Sequence, residues 1–115
     1  MKRLHTTDSG AEQYQIPGAE GASLRVLIGA GDGAPNFTML MLTIAPGGNT
    51  PYHQHPWEEE IFIISGEGKI VTHEGDSPIG AGDALFFASG EEHQFVNTGK
   101  ENLHFICIIP HRSES

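Results

Sequence analysis

The chain has 115 residues, enough for one domain with a hydrophobic core that needs no disulfide support. Its formal net charge is −9, and its 6 basic residues are scattered, which excludes a typical nucleic-acid binder because phosphate contacts supply most of that affinity. The chain has one cysteine, no signal-peptide pattern and no apolar run near the roughly 20 residues that span a bilayer. We therefore expect a cytoplasmic protein that contacts neither nucleic acid nor membrane.

Short apolar runs, separated by segments rich in glycine and proline, follow one another along the chain. The runs are rich in β-branched and aromatic residues and lie at 24–28, 36–44, 60–65, 69–73, 83–88, 93–97 and 104–109. The segments between them, among them 29–35, 45–51 and 73–78, are predicted as turns. No window has helical periodicity. We predict one domain, 1–115, an all-β sandwich or barrel with its core over about 24–110 and tails at 1–12 and 110–115.

Two of the predicted strands are apolar on both faces. These are IFII (61–64) and FICII (105–109), whereas a strand with one wet face should alternate between apolar and polar residues. Both faces of such strands must be covered, by barrel closure, by a second sheet or by another subunit. A homodimer, the commonest closed assembly, is therefore expected.

The segment YHQHPWEEE (52–60) combines two histidines with three glutamates. Side chains alternate along a strand, so His53 and His55 should share a face. The Pro56-Trp57 pair should turn the chain, and the following strand should return beside the histidines as the second arm of a hairpin. Two imidazoles and a carboxylate can bind a divalent first-row metal, but the same residues could equally be a solvated surface beside a turn.

Two longer spacing patterns bear on this choice. The first is G-X5-H-X-H-X3-E-X6-G, and the second is G-X5-P-X-G-X2-H-X3-N with Ala88 in place of the proline. The matching residues are Gly47, His53, His55, Glu59 and Gly66, then Gly82, Gly90, His93 and Asn97. In these two motifs the chain resembles the cupin superfamily. Together with RVLIGAGDGAPNF (25–37), HQHPWEEEIF (53–62) and FICIIP (105–110), it is similar to small bacterial single-domain cupins that bind manganese or a similar metal.

The resemblance implies a double-stranded β-helix, or jelly-roll, barrel with a metal site inside it. The implied ligands are His53, His55, Glu59 and His93, holding one divalent transition metal per chain. Mixed nitrogen and oxygen ligation without thiolate favours Mn(II) or Fe(II), with Ni, Co, Zn or Cu as alternatives. The motif spacing selects Glu59 among the three glutamates. Strand alternation then turns Glu58 and Glu60 to the other face.

The wall of the site is predicted from the same alternation. Phe105, Cys107 and Ile109 share one face of the last strand, and Phe95 shares the face of His93. The resemblance implies that these four residues line a substrate pocket, with plain core packing as the alternative. Trp57 is expected to cover the barrel mouth or to pack at a subunit contact.

The function favoured by these observations is a metal-dependent oxygenase that acts on a small organic substrate. No second acid or base has a motif behind it, and reliance on the ion alone suits dioxygen activation. Two alternatives stay open. One is a barrel that binds a metal or small ligand without turnover, as a sensor or store. The other is a cupin isomerase, decarboxylase or lyase.

Overall fold

The computed structural model describes residues 1–7 and 13–111. Within these ranges the chain forms nine strands: β1 (Gln13–Gln15), β2 (Glu20–Ile28), β3 (Phe37–Asn49), β4 (Glu59–Ser65), β5 (Glu67–Thr72), β6 (Gly75–Gly80), β7 (Ala84–Phe87), β8 (Gln94–Asn97) and β9 (Leu103–Pro110). A 3-10 turn at Ala30–Asp32 connects β2 to β3. No helix in this part of the chain is long and apolar enough to cross a membrane. The all-β prediction is confirmed.

The strands form one sheet that curls into a barrel. Its order is β6-β5-β8-β3-β9-β4-β7, with β2 paired to β3 and β1 paired to β2. All the pairings are antiparallel, and most of the long ones join strands far apart in sequence, as in β3 with β9. The long β3 pairs with β9 and β2 along its first part and reaches β8 at Asn49. It therefore links the two halves of the barrel, and the jelly-roll prediction is confirmed.

Two segments predicted as turns are largely strand. The last five residues of β3 lie within 45–51, and most of β6 lies within 73–78. Pro78 is tolerated because β6 pairs only with β5 and is an edge strand, where a missing N–H breaks no ladder. A register shift in the β2–β3 pairing, between Glu20 and Ala22, marks a bulge that lets β3 bend and continue.

The beginning of the domain also differs from the prediction. Strand β2 begins at Glu20, four residues before the predicted apolar run, and β1 precedes it within the polar stretch Gln13–Gln15. The prediction missed β1 and the start of β2 because these residues carry few apolar side chains. They become strand because β1 pairs with β2 and β2 pairs with β3. Of the predicted tails, residues 8–12 and 112–115 lie outside the described residues.

Alternation along the strands builds the core. On β4, Ile61 and Ile63 are buried while Phe62 and Ile64 are exposed, and on β9 the buried set includes Phe105. The core inside the barrel consists of Ala22, Ile44, Ile61, Ile63, Ile70, Ile79, Phe87, Phe95, Leu103, Phe105 and Cys107. The outer face of β4 is thus apolar apart from Glu60, and the residues that the structure describes leave it exposed.

Gly66, at the turn between β4 and β5, allows the barrel to close at this end. Its φ of +94° lies in the left-handed region, and a Cβ there would come within 2.5 Å of the backbone oxygen of Asn102. No L-side chain fits both requirements, so this motif position needs glycine.

Candidate metal centre

Four side chains from three parts of the chain meet inside the barrel. His53 and His55 lie on the segment between β3 and β4, Glu59 is the first residue of β4, and His93 directly precedes β8. His53 and His93 form an isolated antiparallel bridge, with the N–H of each donating to the other's carbonyl at 3.1 and 3.0 Å. The His55 carbonyl accepts from the Gly90 N–H at 2.8 Å. Backbone hydrogen bonds between the two motifs therefore bring their histidines together.

The predicted hairpin is wrong. The segment that carries His53 pairs with His93, whereas β4 pairs with β7 and β9. Segments that follow one another along the chain thus pair with different and distant segments in the barrel. The carboxylate of Glu59 consequently approaches the histidines from a strand that does not pair with theirs.

The ligand atoms of the three histidines converge. Those of His53, His55 and His93 lie within 4.8 Å of one another. Glu59 Oε1 lies 3.2 Å from His55 Nε2 and 3.0 Å from His93 Nε2. Glu59 is only 9 % exposed and His93 1 %, while Glu58 and Glu60 are exposed, as strand alternation predicts. The structure thus brings the three histidines together and places Glu59 against two of them, and the role of all four as ligands stays a prediction.

Backbone carbonyls determine the tautomers of two of these rings. His53 Nδ1 lies 2.8 Å from the Pro51 carbonyl oxygen, and His93 Nδ1 lies 2.9 Å from that of Glu91. A carbonyl oxygen can only accept, so Nδ1 carries the proton in both rings. The neutral rings then present the lone pairs of Nε2 as ligands, which is the usual arrangement of metal-binding histidines.

The Glu59 carboxylate shows that a positive group belongs at this point. Oε1 is buried, and it lacks a hydrogen-bond partner unless Nε2 of His55 or His93 carries a proton. A carboxylate oxygen against imidazole lone pairs is unfavourable, and a buried unpaired charge is costly. Either a proton on Nε2 or a cation bound by all these atoms removes the conflict. The donor set, three imidazoles and one carboxylate, fits a divalent first-row metal.

The pKa values of the metal-free site reflect the same conflict. Burial alone would raise the pKa of Glu59, but hydrogen bonds from His93 and Cys107 and the charges of the imidazoles together hold it below its usual value. Burial would lower the pKa of His93, but hydrogen bonds to the Glu59 carboxylate and the Glu91 carbonyl, together with the charges of both carboxylates, outweigh this and raise it. For His55 burial dominates and lowers the pKa. The carboxylate and the His93 imidazolium thus stabilise each other when no metal is present.

Aromatic rings hold two of the imidazoles in place. Trp57 stacks on His55 at a centroid distance of 4.5 Å, and Phe87 stacks on His93 at 4.1 Å. Trp57 thus lies against the site itself. Phe87 was not among the predicted site residues, although alternation from Leu85 along β7 points it inward. Its position between the two motif residues Gly82 and His93 was the available signal.

The predicted pocket residues lie on the inner face as expected, but most are core. Phe95 and Phe105 stack on each other at 4.3 Å and are buried, and Ile109 is partly buried against the core. Cys107 is buried and its thiol donates to Glu59 Oε2 at 2.9 Å, while burial raises the pKa of that thiol. Among the four predicted pocket residues, Cys107 is therefore the one whose side chain hydrogen-bonds to a predicted ligand.

The turn before His93 forms without the proline of the second motif, which is replaced by Ala88. The N–H of Ala88, which a proline would lack, donates to Glu91 Oε1 at 2.9 Å, and the Glu91 N–H donates to the Ala88 carbonyl at 3.1 Å. The Glu91 carbonyl in turn accepts from His93 Nδ1. The side chain of Glu91 thus stabilises the turn where the motif prefers proline, and its backbone orients a predicted ligand.

Comparison with known proteins places the chain in a family. Residues 40–109 match the family described as the cupin domain. The structure of the polyketide cyclase RemF from Streptomyces resistomycificus superposes with a TM-score of 0.90 and 33 % identity over 100 % of this chain and 82 % of that chain.

Two curated proteins match over shorter regions. The oxalate-binding protein of Thermotoga maritima is 41 % identical over 69 residues, 59 % of this chain and 57 % of its own. Dimethylsulfoniopropionate lyase DddQ of Ruegeria pomeroyi is 36 % identical over 69 residues, 55 % of this chain and 34 % of its own. The matches therefore span little more than half of one curated relative and a third of the other. The cupin-domain match covers more than half of this chain, so the chain belongs to the cupin family.

Proposed function

We propose that this cupin is a metal-dependent enzyme that acts on a small organic substrate. The observation that carries the proposal is the convergence of three imidazoles beside the buried carboxylate of Glu59, whose Oε1 faces two of them, His55 and His93. One divalent ion per chain would be held by His53, His55, Glu59 and His93. Mn(II) and Fe(II) are the favoured ions, because nitrogen and oxygen ligands without thiolate suit them, and Ni, Co, Zn and Cu are alternatives.

The residues of the barrel support a reaction that depends on the ion. Within the described residues, the buried titratable groups are Glu59, His93 and Cys107, and the other buried side chains are apolar apart from Thr50 and Asn97. When bound, a divalent metal supplies Lewis-acid or redox chemistry to substrate oxygens in its open positions. The chain itself would hold the ion, exclude water with the apolar core and stack Trp57 and Phe87 against the ligating rings.

Two reaction classes are supported by different observations. The full-length similarity to a polyketide cyclase and the shorter match to a lyase favour redox-neutral chemistry on a substrate with carbonyl or carboxylate oxygens. The absence of another well-placed acid or base among the described buried groups favours dioxygen activation by the ion, hence an oxygenase. We put the redox-neutral, cyclase-like reaction first, because that relative matches over the whole chain.

Metal content is the first test. Protein purified without added metal should contain about one transition ion per chain, and His53→Ala combined with His93→Ala should remove it. Trp57, the single tryptophan, stacks on His55, so its fluorescence should report loading by a paramagnetic ion. A protein that is metal-free and cannot be reloaded with any of the six ions would overturn the proposal.

Exchange of the ion separates the two reaction classes. Chains loaded with Zn(II), which has no redox chemistry, and chains loaded with Fe(II) should be assayed with and without oxygen on polyketone, oxalate-like and catechol compounds. Turnover by the Zn(II) form without oxygen supports the cyclase-like reaction. Oxygen consumption restricted to the Fe(II) form supports the oxygenase. Tight binding of a compound without turnover in any form indicates a non-catalytic binding barrel instead.

We also propose that the protein is a homodimer and that the outer apolar face joins the two copies. This face is made by residues that lie opposite one another in two rows across β3, β9, β4 and β7: Met39, Ile108, Glu60 and Phe86, then Met41, Ile106, Phe62 and Ala84. Phe62 is 51 % and Phe86 58 % exposed. Each chain carries a net charge of −9, but this face contains a single carboxylate, so two copies repel each other little here.

Molar mass in solution tests the assembly. Wild type should elute with twice the mass of one chain, and Phe62→Glu should convert it to a monomer. Val71→Glu, which places a carboxylate on the outer face of β5 in the other half of the barrel, is the matched control and should leave the dimer intact. A monomeric wild type, or a dimer unaffected by Phe62→Glu together with Phe86→Glu, contradicts the proposal.

The predicted cytoplasmic location stays a prediction, compatible with the buried, unpaired Cys107.

A further inference from the structure

The two oxygens of the Glu59 carboxylate have different surroundings. Oε1 faces His55 and His93, whereas Oε2 accepts the thiol hydrogen of Cys107 at 2.9 Å. Cys107 is 2 % exposed and comes from β9, which pairs with β4 next to the site. One oxygen is thus already engaged on the side away from the histidines.

This difference matters for ligation because a carboxylate can use one oxygen or both. If both oxygens of Glu59 contacted the ion, they would occupy two positions of its shell. The thiol hydrogen bond lowers the energy of the arrangement in which Oε2 stays out of the shell, and breaking it would leave a buried donor without a partner. Partners of ligating carboxylates commonly orient them in this way.

Packing alone does not account for a thiol at this position. Cys107 lies opposite Leu40 on β3 and Ile61 on β4, both apolar, and the other residues on its face of β9, Leu103, Phe105 and Ile109, are apolar too. An aliphatic residue would suit those neighbours equally well. The thiol is the one side chain among these neighbours that can donate a hydrogen bond to Glu59.

We infer that Cys107 is a positioning residue that restricts Glu59 to single-oxygen ligation and so keeps one coordination position open for substrate. The inference rests on the metal-binding function proposed above. It assigns no ligand role to the thiol, whose sulfur contacts the far oxygen of the carboxylate. An octahedral ion held by four protein atoms then keeps about two exchangeable positions, and loss of the thiol donor should leave about one.

The test counts water molecules on bound Mn(II) by water-proton relaxation, with every variant saturated with the ion. Cys107→Ala and Cys107→Val remove the donor and should lose about one of the two exchangeable waters. Cys107→Ser keeps a donor at the same place and should keep the wild-type count. Ile61→Val is the matched packing control, because it shortens the residue opposite Cys107 without removing a donor. It should also keep the wild-type count.

The outcomes are distinguishable. If wild type binds no metal, the proposed function fails and this inference with it. If wild type binds Mn(II) and Cys107→Ala keeps the full water count, the inference alone is overturned. The same holds if Ile61→Val loses a water too, since the effect would then come from packing. Circular dichroism of each variant establishes folding, and Cys107→Ser provides the donor-retaining comparison if Cys107→Ala fails to fold.

Discussion

Replacing Glu59 by glutamine separates its role from those of its two neighbours. Glu58→Gln, Glu59→Gln and Glu60→Gln are the same chemical change at successive positions, but only Glu59 is buried and faces the histidines. The change removes the negative charge opposite the ion and leaves the size of the side chain nearly unchanged. We expect Glu59→Gln to weaken metal binding by about 100-fold, because loss of a direct ligand should cost at least as much as the largest effects of losing an outer partner. The two neighbours should have almost no effect.

The size of the effect on stability follows from linkage. At a free metal concentration of about 100 times the wild-type Kd, binding stabilises the folded chain by about 2.7 kcal/mol. For a domain of this size that raises Tm by about 10 °C. In Glu59→Gln the same concentration would equal about one Kd, so the gain falls to about 0.4 kcal/mol and the rise in Tm to about 2 °C.

Calorimetry with and without Mn(II) measures these shifts. Glu58→Gln and Glu60→Gln should retain the wild-type rise in Tm. The reasoning is refuted if Glu59→Gln keeps the full rise, or if Glu60→Gln loses it, because the ligand would then lie on the other face of β4.

Two further predictions concern the surroundings of the ligands. Trp57→Phe should keep Mn(II) affinity near the wild-type value because a flat ring remains on His55, whereas Trp57→Ala should weaken it several-fold, as measured by equilibrium dialysis. In the metal-free protein, the lowered pKa of Glu59 contributes stability that is lost as pH falls through it, and the raised pKa of His93 contributes stability that is lost as pH rises through it. Urea unfolding of the metal-free chain should therefore show a maximum between these two pKa values that is flattened in Glu59→Gln, and an unchanged profile would contradict the pairing.

The candidate ligands could be named from the two motifs that the chain shares with cupins, which supply His93 as well as the HQH pair. The alternation of a strand is a local property of the backbone, so it separates Glu59 from Glu58 and Glu60, and the motif then chose between the two faces. The same alternation grouped Cys107 with Phe105 on one face of β9, which is the inner face in the structure. The all-β class followed from short apolar runs between glycine and proline, which is also a local pattern.

Strand pairing could not be predicted in this way. The sequence suggested that β4 returns beside His53, whereas His53 pairs with His93, which lies 40 positions later. Which strands pair depends on how much apolar surface the whole barrel buries, and the sequence of a single segment does not contain that information. For the same reason the segment with Pro78 was predicted as a turn, although β6 is an edge strand and can contain a proline without losing a ladder hydrogen bond.

By itself, the sequence determined which residues can bind a metal and which face of its strand each one occupies, because both depend on residue type and on the two-residue period of a strand. Only the tertiary structure decided how those residues meet. It placed Trp57 and Phe87 flat against two imidazoles and turned Cys107 to one oxygen of Glu59 while His55 and His93 face the other. The contacts of Glu59 with His93 and Cys107 join positions that are distant along the chain, and long-range packing of the barrel is what brings them within reach.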